Sequence, residues 1–153
     1  MSDLNLNVTG DTQEKLNKLN AKLQDFKPEL EGDISIIMMR SFDKNFTEGG
    51  RPTKWPESKA ALARNGQTLI DSGRLRRSLS TKGNPDQFYE VGKLNLKIGS
   101  TVPYARTHND GLTIKIFGRI MYKFLGRPFV IIQPDDETAI NQVLIRSIQD
   151  VLE

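Results

Sequence analysis

The chain has 153 residues, 37% hydrophobic and 27% charged, which is the size and balance of one globular domain able to bury its own core. It has no cysteine, which excludes a disulfide framework and cysteine-based metal or redox chemistry. Its net charge of +3 is too small by itself to mark a nucleic-acid-binding protein. Met1-Ser2-Asp3-Leu4 lacks the basic start and apolar stretch of a signal peptide, so no export signal is expected. The longest apolar run, from Ile34 to Met39, is broken by Ser35 and is too short to span a bilayer.

Taken in chain order, Thr12 or Asp11 can cap a helix running through Leu16, Leu19 and Leu23. Pro28 interrupts that pattern and suits the first turn of a second helix. This helix carries Leu30, Ile34, Ile37, Met38, Ser41, Phe42 and Phe46 at helical spacing, one continuous stripe, with Met38 and Met39 as core filler. Then comes Phe46 to Trp55, which holds the only Trp, a Gly49-Gly50 pair and Pro52. The glycines accept positive φ, Pro52 pushes Arg51 toward an extended conformation, and Trp55 can fold back as an anchor.

Ser58 to Asn65 reads as a helical turn stopped by Gly66, and Asp71-Ser72-Gly73 as a tight turn. Arg74 to Ser80 has Leu75 and Leu79 at helical spacing and fits either a helical turn or an edge strand. Phe88 to Val91 and Leu94 to Ile98 are strand candidates joined at Gly92-Lys93, and Leu112, Ile114 and Ile116 mark a third strand. Pro103 to Asn109 can hold one helical turn. A last helix starts near Asp135-Asp136 with Ile140, Val143, Leu144, Ile148, Val151 and Leu152 as its stripe. The order predicts one α+β domain, residues 1–153, with N-terminal helices and a C-terminal helix packed on a small, mainly antiparallel β-sheet. Residues 1–27 form a helical extension and 28–153 the core.

Charge is unevenly placed. Arg40 to Arg77 holds nine basic residues against four acids. Such a run is either a solvated face or a surface for a phosphate backbone or an acidic partner. Catalytic signals are weak. His108 is the only histidine, no G-x-S-x-G elbow supports a serine triad, and no second histidine or spaced carboxylate set supports a metal nuclease. His108 is expected to hydrogen-bond the backbone of the tight Asn109-Asp110-Gly111 turn. Asp135, Asp136 and Glu137 fit a helix N-terminus better than a Mg²⁺ site. No P-loop, dinucleotide fingerprint or zinc signature occurs, so no enzymatic activity, cofactor or metal is expected; a small hydrolase using His108 is the weakest reading. In Gly126-Arg127-Pro128-Phe129, either Arg127 and Phe129 splay out to meet a partner, or the loop tucks Phe129 into its own core.

Several of these pieces stand in one order: Phe46 to Trp55 (F-T-E-G-G-R-P-T-K-W), Leu69 to Ser78 (L-I-D-S-G-R-L-R-R-S), Ile98-Gly99-Ser100, Tyr104 to Gly111 (Y-A-R-T-H-N-D-G) and Gly126 to Val130 (G-R-P-F-V). Together they resemble the Mu-like phage virion morphogenesis family, also known as tail completion proteins, over roughly residues 30–150. The chain departs from the family pattern at Asp110-Gly111-Leu112, where a double glycine is usual, and in Ile116 to Leu125, which is unlike a simple short loop. The resemblance implies a non-enzymatic structural protein of a tailed phage or prophage, located at the neck of the virion and in the host cytoplasm during assembly. It implies a tail completion, terminator or connector ring, commonly a hexamer, touching neck, connector and tail tube proteins and letting double-stranded DNA pass without sequence recognition. No membrane and no small-molecule substrate are implied. Within such a ring, Arg51, Trp55, Arg127 and Phe129 are expected at subunit interfaces, and Arg74, Arg76 and Arg77 toward the lumen or an acidic neck protein. The alternative is a basic nucleic-acid-binding module without enzymatic activity.

Overall fold

A computed structural model describes residues 10–153; Met1 to Leu4, read above for an export signal, lie outside the described residues. Helix α1 spans Gly10–Leu23. Pro28 opens a short helix α2, Lys27–Glu29, which passes through a π-helical turn, Leu30–Ile34, into α3, Ser35–Thr47. The expected second helix is thus kinked, and the kink sits at Gly32, whose ψ of −109° is not helical. Helices α4, Lys59–Ala63, and α5, Arg74–Ser80, follow the glycine-rich loop. Ser58 caps α4 by accepting from the Ala61 N–H. The edge-strand option for Arg74 to Ser80 is overturned: α5 is a helix because Leu75 and Leu79, four apart, both enter the core.

Strands β1, Gln87–Val91, and β2, Leu96–Ser100, form an antiparallel hairpin with Tyr89 opposite Ile98. The turn between them is longer than expected. The Gly92 N–H donates to the Asn95 carbonyl at 2.8 Å, which places Leu94, 63% exposed, in the turn. Helix α6, Ala105–Asp110, leads into β3, Thr113–Ile116. The third strand does not join the first two. It pairs with an additional strand, β4, Ile120–Lys123, so the strands make two separate hairpins and not one sheet. Phe117 and Gly118 sit at φ +53° and +70° in the three-residue connection, 117–119, between the paired Ile116 and Ile120. At the foot of this hairpin two glycines pass each other. A Cβ on Gly111 would lie 2.5 Å from the Gly126 nitrogen.

The core gathers Met38, Phe42 and Phe46 of α3, Leu75 and Leu79 of α5, Ala105 of α6, and Trp55, Val102 and Phe129 from the connecting segments. Helix α3 is buried on more than the expected stripe, because Ser35, Met39 and Asn45 are covered too, while Ile37 is only half-buried. The closing helix α7, Pro134–Leu152, begins where the acids predict, and its N-terminus is a capping box between Gln133 and Asp136.

Helix α1 lies on α7 and buries no residue fully; Leu16 and Leu23 of its predicted stripe stay about half exposed. Its anchor is polar. The Lys22 ammonium and the Ser147 hydroxyl both donate to Glu29 Oε1, joining α1, α2 and α7 at one carboxylate oxygen. Burial alone would raise the pKa of Glu29, but the bonds from Lys22 and Ser147 outweigh it and hold the group below its ordinary 4.5. A lowered folded-state pKa stabilises the fold above the unfolded value, and that contribution disappears as pH falls through the folded value. The melting temperature is therefore expected to be flat above about pH 5 and to fall below it. Glu29→Gln is expected to lower it at neutral pH and flatten part of the acid slope. Thermal melts of both proteins between neutral and strongly acidic pH check this, and an unchanged slope in the variant would contradict it.

Candidate functional site

The two motif segments that stand furthest apart, Phe46 to Trp55 and Gly126 to Val130, meet in space. Helix α3 supplies the middle of the lattice that joins them. Gly49 and Gly50, at φ +67° and +110°, turn the chain back over the end of α3, and the Trp55 N–H closes the loop on the Gly49 carbonyl at 2.7 Å. Gly50 has no room for a side chain: a Cβ would lie 2.7 Å from both the Thr53 oxygen and the Trp55 nitrogen.

The turn aims Arg51 inward. Its Nε donates to Asn45 Oδ1 at 2.9 Å, and its Nη2 to the Ser41 carbonyl at 2.8 Å and the Ser41 hydroxyl at 2.7 Å. That hydroxyl donates to Asp136 Oδ2 at the start of α7. Asn45 spends its amide on the Phe129 carbonyl at 2.8 Å, and the Gln133 amide donates to the Arg51 carbonyl at 3.0 Å. A buried polar network of this kind fixes one arrangement of the segments, since each unmet group would cost about 1–3 kcal/mol.

The aromatic layer below follows from the same turn. Trp55 meets Phe46 edge-on at 5.8 Å and donates its indole N–H to the Pro128 carbonyl at 3.2 Å. Phe129 packs on Phe46 at 5.2 Å, and its backbone N–H donates to Asn109 Oδ1 at 3.0 Å. Arg127 donates from Nε to the Pro56 carbonyl at 3.0 Å. Trp55 and Arg127 are each 8% exposed and Phe129 is 1% exposed. Of the four residues expected at a subunit interface, Trp55, Arg127 and Phe129 are buried within their own chain, and Arg51 is half-buried with its bonds inside the chain. Their side chains are used up inside the chain, and the loop-tucking reading of Phe129 is the one observed.

The basic helix is partly paired within the chain. Arg74 forms a two-pronged pair with Asp86, both bonds at 2.7 Å, and Arg76 another with Asp43, at 2.7 and 3.0 Å. The arginine bond holds Asp43 below the usual carboxylate range against the opposing effect of burial, and the same cause acts on Asp86. Arg77 is exposed and gives one bond, to the Ser72 carbonyl at 3.0 Å, and forms no ion pair among the described residues. Of the three arginines expected to face DNA or an acidic partner, only Arg77 keeps an uncompensated charge.

His108 stands beside a groove of about 720 Å³ between α4, α5 and the foot of the β3–β4 hairpin. Its ring meets Tyr104 and Phe124 edge-on at 6.0 and 5.2 Å. Burial, then the positive charge of Arg127, lowers its pKa, so the imidazole is neutral at pH 7. The expected side-chain bond to the Asn109-Asp110-Gly111 backbone is absent. Nδ1 is buried without a partner, and the residue contributes its backbone carbonyl instead, accepting from the Arg127 N–H at 2.8 Å. No hydroxyl or carboxylate among the described residues bonds the imidazole.

Sequence reading missed the hairpin itself. Beyond its own ladder, no hydrogen bond or ion pair ties residues 113–123 to the rest of the described chain, and Phe117 at its tip is 92% exposed. The only signal was the alternation of Ile114 and Ile116; β4 has none, and a lone Gly118 is a weak turn mark.

The model of the phage virion morphogenesis family matches residues 8–149, and the chain belongs to that family. Its role therefore lies in the building or the structure of a phage particle. No curated protein and no solved structure matches the chain. No helix among the described residues is long and apolar enough to cross a membrane, and no group of His, Asp and Glu among them is placed to hold a metal ion.

Proposed function

We propose that the chain is a non-enzymatic subunit of the head–tail neck, a tail completion, terminator or connector ring through which the genome passes, with the hexamer as its assembled form. The family match over residues 8–149 carries this reading. The lattice around Arg51 and Asn45 is compatible with it, because the glycine-rich loop and the segment before α7 are held as a rigid frame. So is the isolation of His108 from any hydroxyl or carboxylate partner. A lumen that lets DNA slide calls for few free cations, and pairing of Arg74 and Arg76 leaves a sparse basic face of that kind. The same pairing weighs against the alternative of a nucleic-acid-binding module. Electron microscopy of lysates from a phage lacking this chain tests the proposal. Filled heads beside unjoined or irregular tails are expected, and joined, infectious particles in normal yield would contradict it.

A further inference from the structure

The β3–β4 hairpin has two chemically different faces. Residues opposite one another in the register share a face, so Ile114 with Tyr122 and Ile116 with Ile120 make one side wholly apolar. Ile120 is 60% exposed, and Tyr122, whose ring meets Phe124 edge-on at 4.8 Å, is still 51% exposed. Lys115 and Lys123 lie on the other side, and Arg119 sits beside Phe117 at the tip. From Gly111 to Pro134 the chain has no acidic residue at all. A lone two-stranded hairpin is marginal in water, and an uncovered apolar face beside free strand edges marks a contact surface.

The same chain carries a surface of the opposite character. Val130 and Ile132 are exposed just before α7, and Asp135 and Glu137 project from its first turn with no cation paired to either. Asp136, between them, is turned inward on the Gln133 N–H. An apolar, basic arm and an apolar, acidic shoulder on one molecule are complementary and not identical. Contact between such surfaces on successive copies is head-to-tail, the type that closes into a ring when the rotation allows. DNA would meet the cations but offers nothing to the isoleucine face.

We infer that the β3–β4 hairpin is an assembly arm that lies on the 130–137 shoulder of a neighbouring copy of this chain, its isoleucine face on Val130 and Ile132 and the long side chains of Lys115, Arg119 and Lys123 reaching round the hairpin's edges to Asp135 and Glu137. This rests on the ring reading above and supplies its interface.

Because the chain has no cysteine, disulfide trapping reads the contact directly. The double variant F117C/I132C, oxidised at moderate concentration, is expected to give covalent species of three or more chains, whereas each single variant gives none. In parallel, light scattering on K115E/R119E/K123E is expected to show the assembly midpoint moved about tenfold or more to higher concentration, with recovery on adding D135K/E137K. A melting curve of each variant separates loss of contact from loss of fold. A wild-type assembly with no trapped species and no response to charge reversal would overturn the arm and leave the ring standing. A wild type that stays monomeric and untrapped at every concentration, alone and mixed with the tail tube and connector proteins, would overturn both. Unchanged mass with lost binding to a DNA duplex would reassign the arm to nucleic acid.

Discussion

Phe129→Ala lowers the free energy of unfolding by about 3–5 kcal/mol, the cost of emptying an aromatic site in a packed core. Phe129 is 1% exposed, and its ring rests on Phe46, which in turn meets Trp55. Removing it leaves α3, the glycine-rich loop and the segment entering α7 without their common filler. Urea unfolding checks this, with the midpoint shifted and the slope unchanged. The outcome discriminates sharply. A surface anchor truncated to alanine would change stability by less than about 0.5 kcal/mol and weaken assembly instead. That result would return Phe129 to the subunit interface.

Arg51→Ala is expected to cost about 2–4 kcal/mol for a different reason. The variant fills no less of the apolar core, but it leaves Asn45 Oδ1, the Ser41 carbonyl and the Ser41 hydroxyl without the donor that now satisfies them. Asn45 and Ser41 are buried, so water does not fully replace what is lost. Arg51→Lys is expected to recover little, because a single ammonium cannot copy the planar fork that reaches both residues. The same urea series reads both variants. A lysine variant as stable as the original would mean that the charge matters and the fork does not.

Much of this was legible beforehand where one physical rule governs. The α3 stripe, the short helix after Ser58, the acids at the start of α7 and the glycine-rich turn all follow from local spacing and local chemistry. Partner choice over long distances was not legible. Arg51 and Trp55 carry the look of an interface loop, and only the fold reveals that residues 45, 128 and 133 take up their polar groups. Likewise the charge of Arg74 and Arg76 reads as a free patch until Asp86 and Asp43 arrive from 12 and 33 residues away. β4 was missed because Ile120, Met121 and Tyr122 do not alternate; a strand that faces water on both sides of its chain has no inside to impose a period of two.

The most direct test of the account is the mass of the purified protein by light scattering across a concentration series. With a chain mass of 17.3 kDa, a species near six chain masses is predicted, forming cooperatively as concentration rises. A monomer at every concentration, still monomeric when mixed with the tail tube and connector proteins it would join, would contradict the ring.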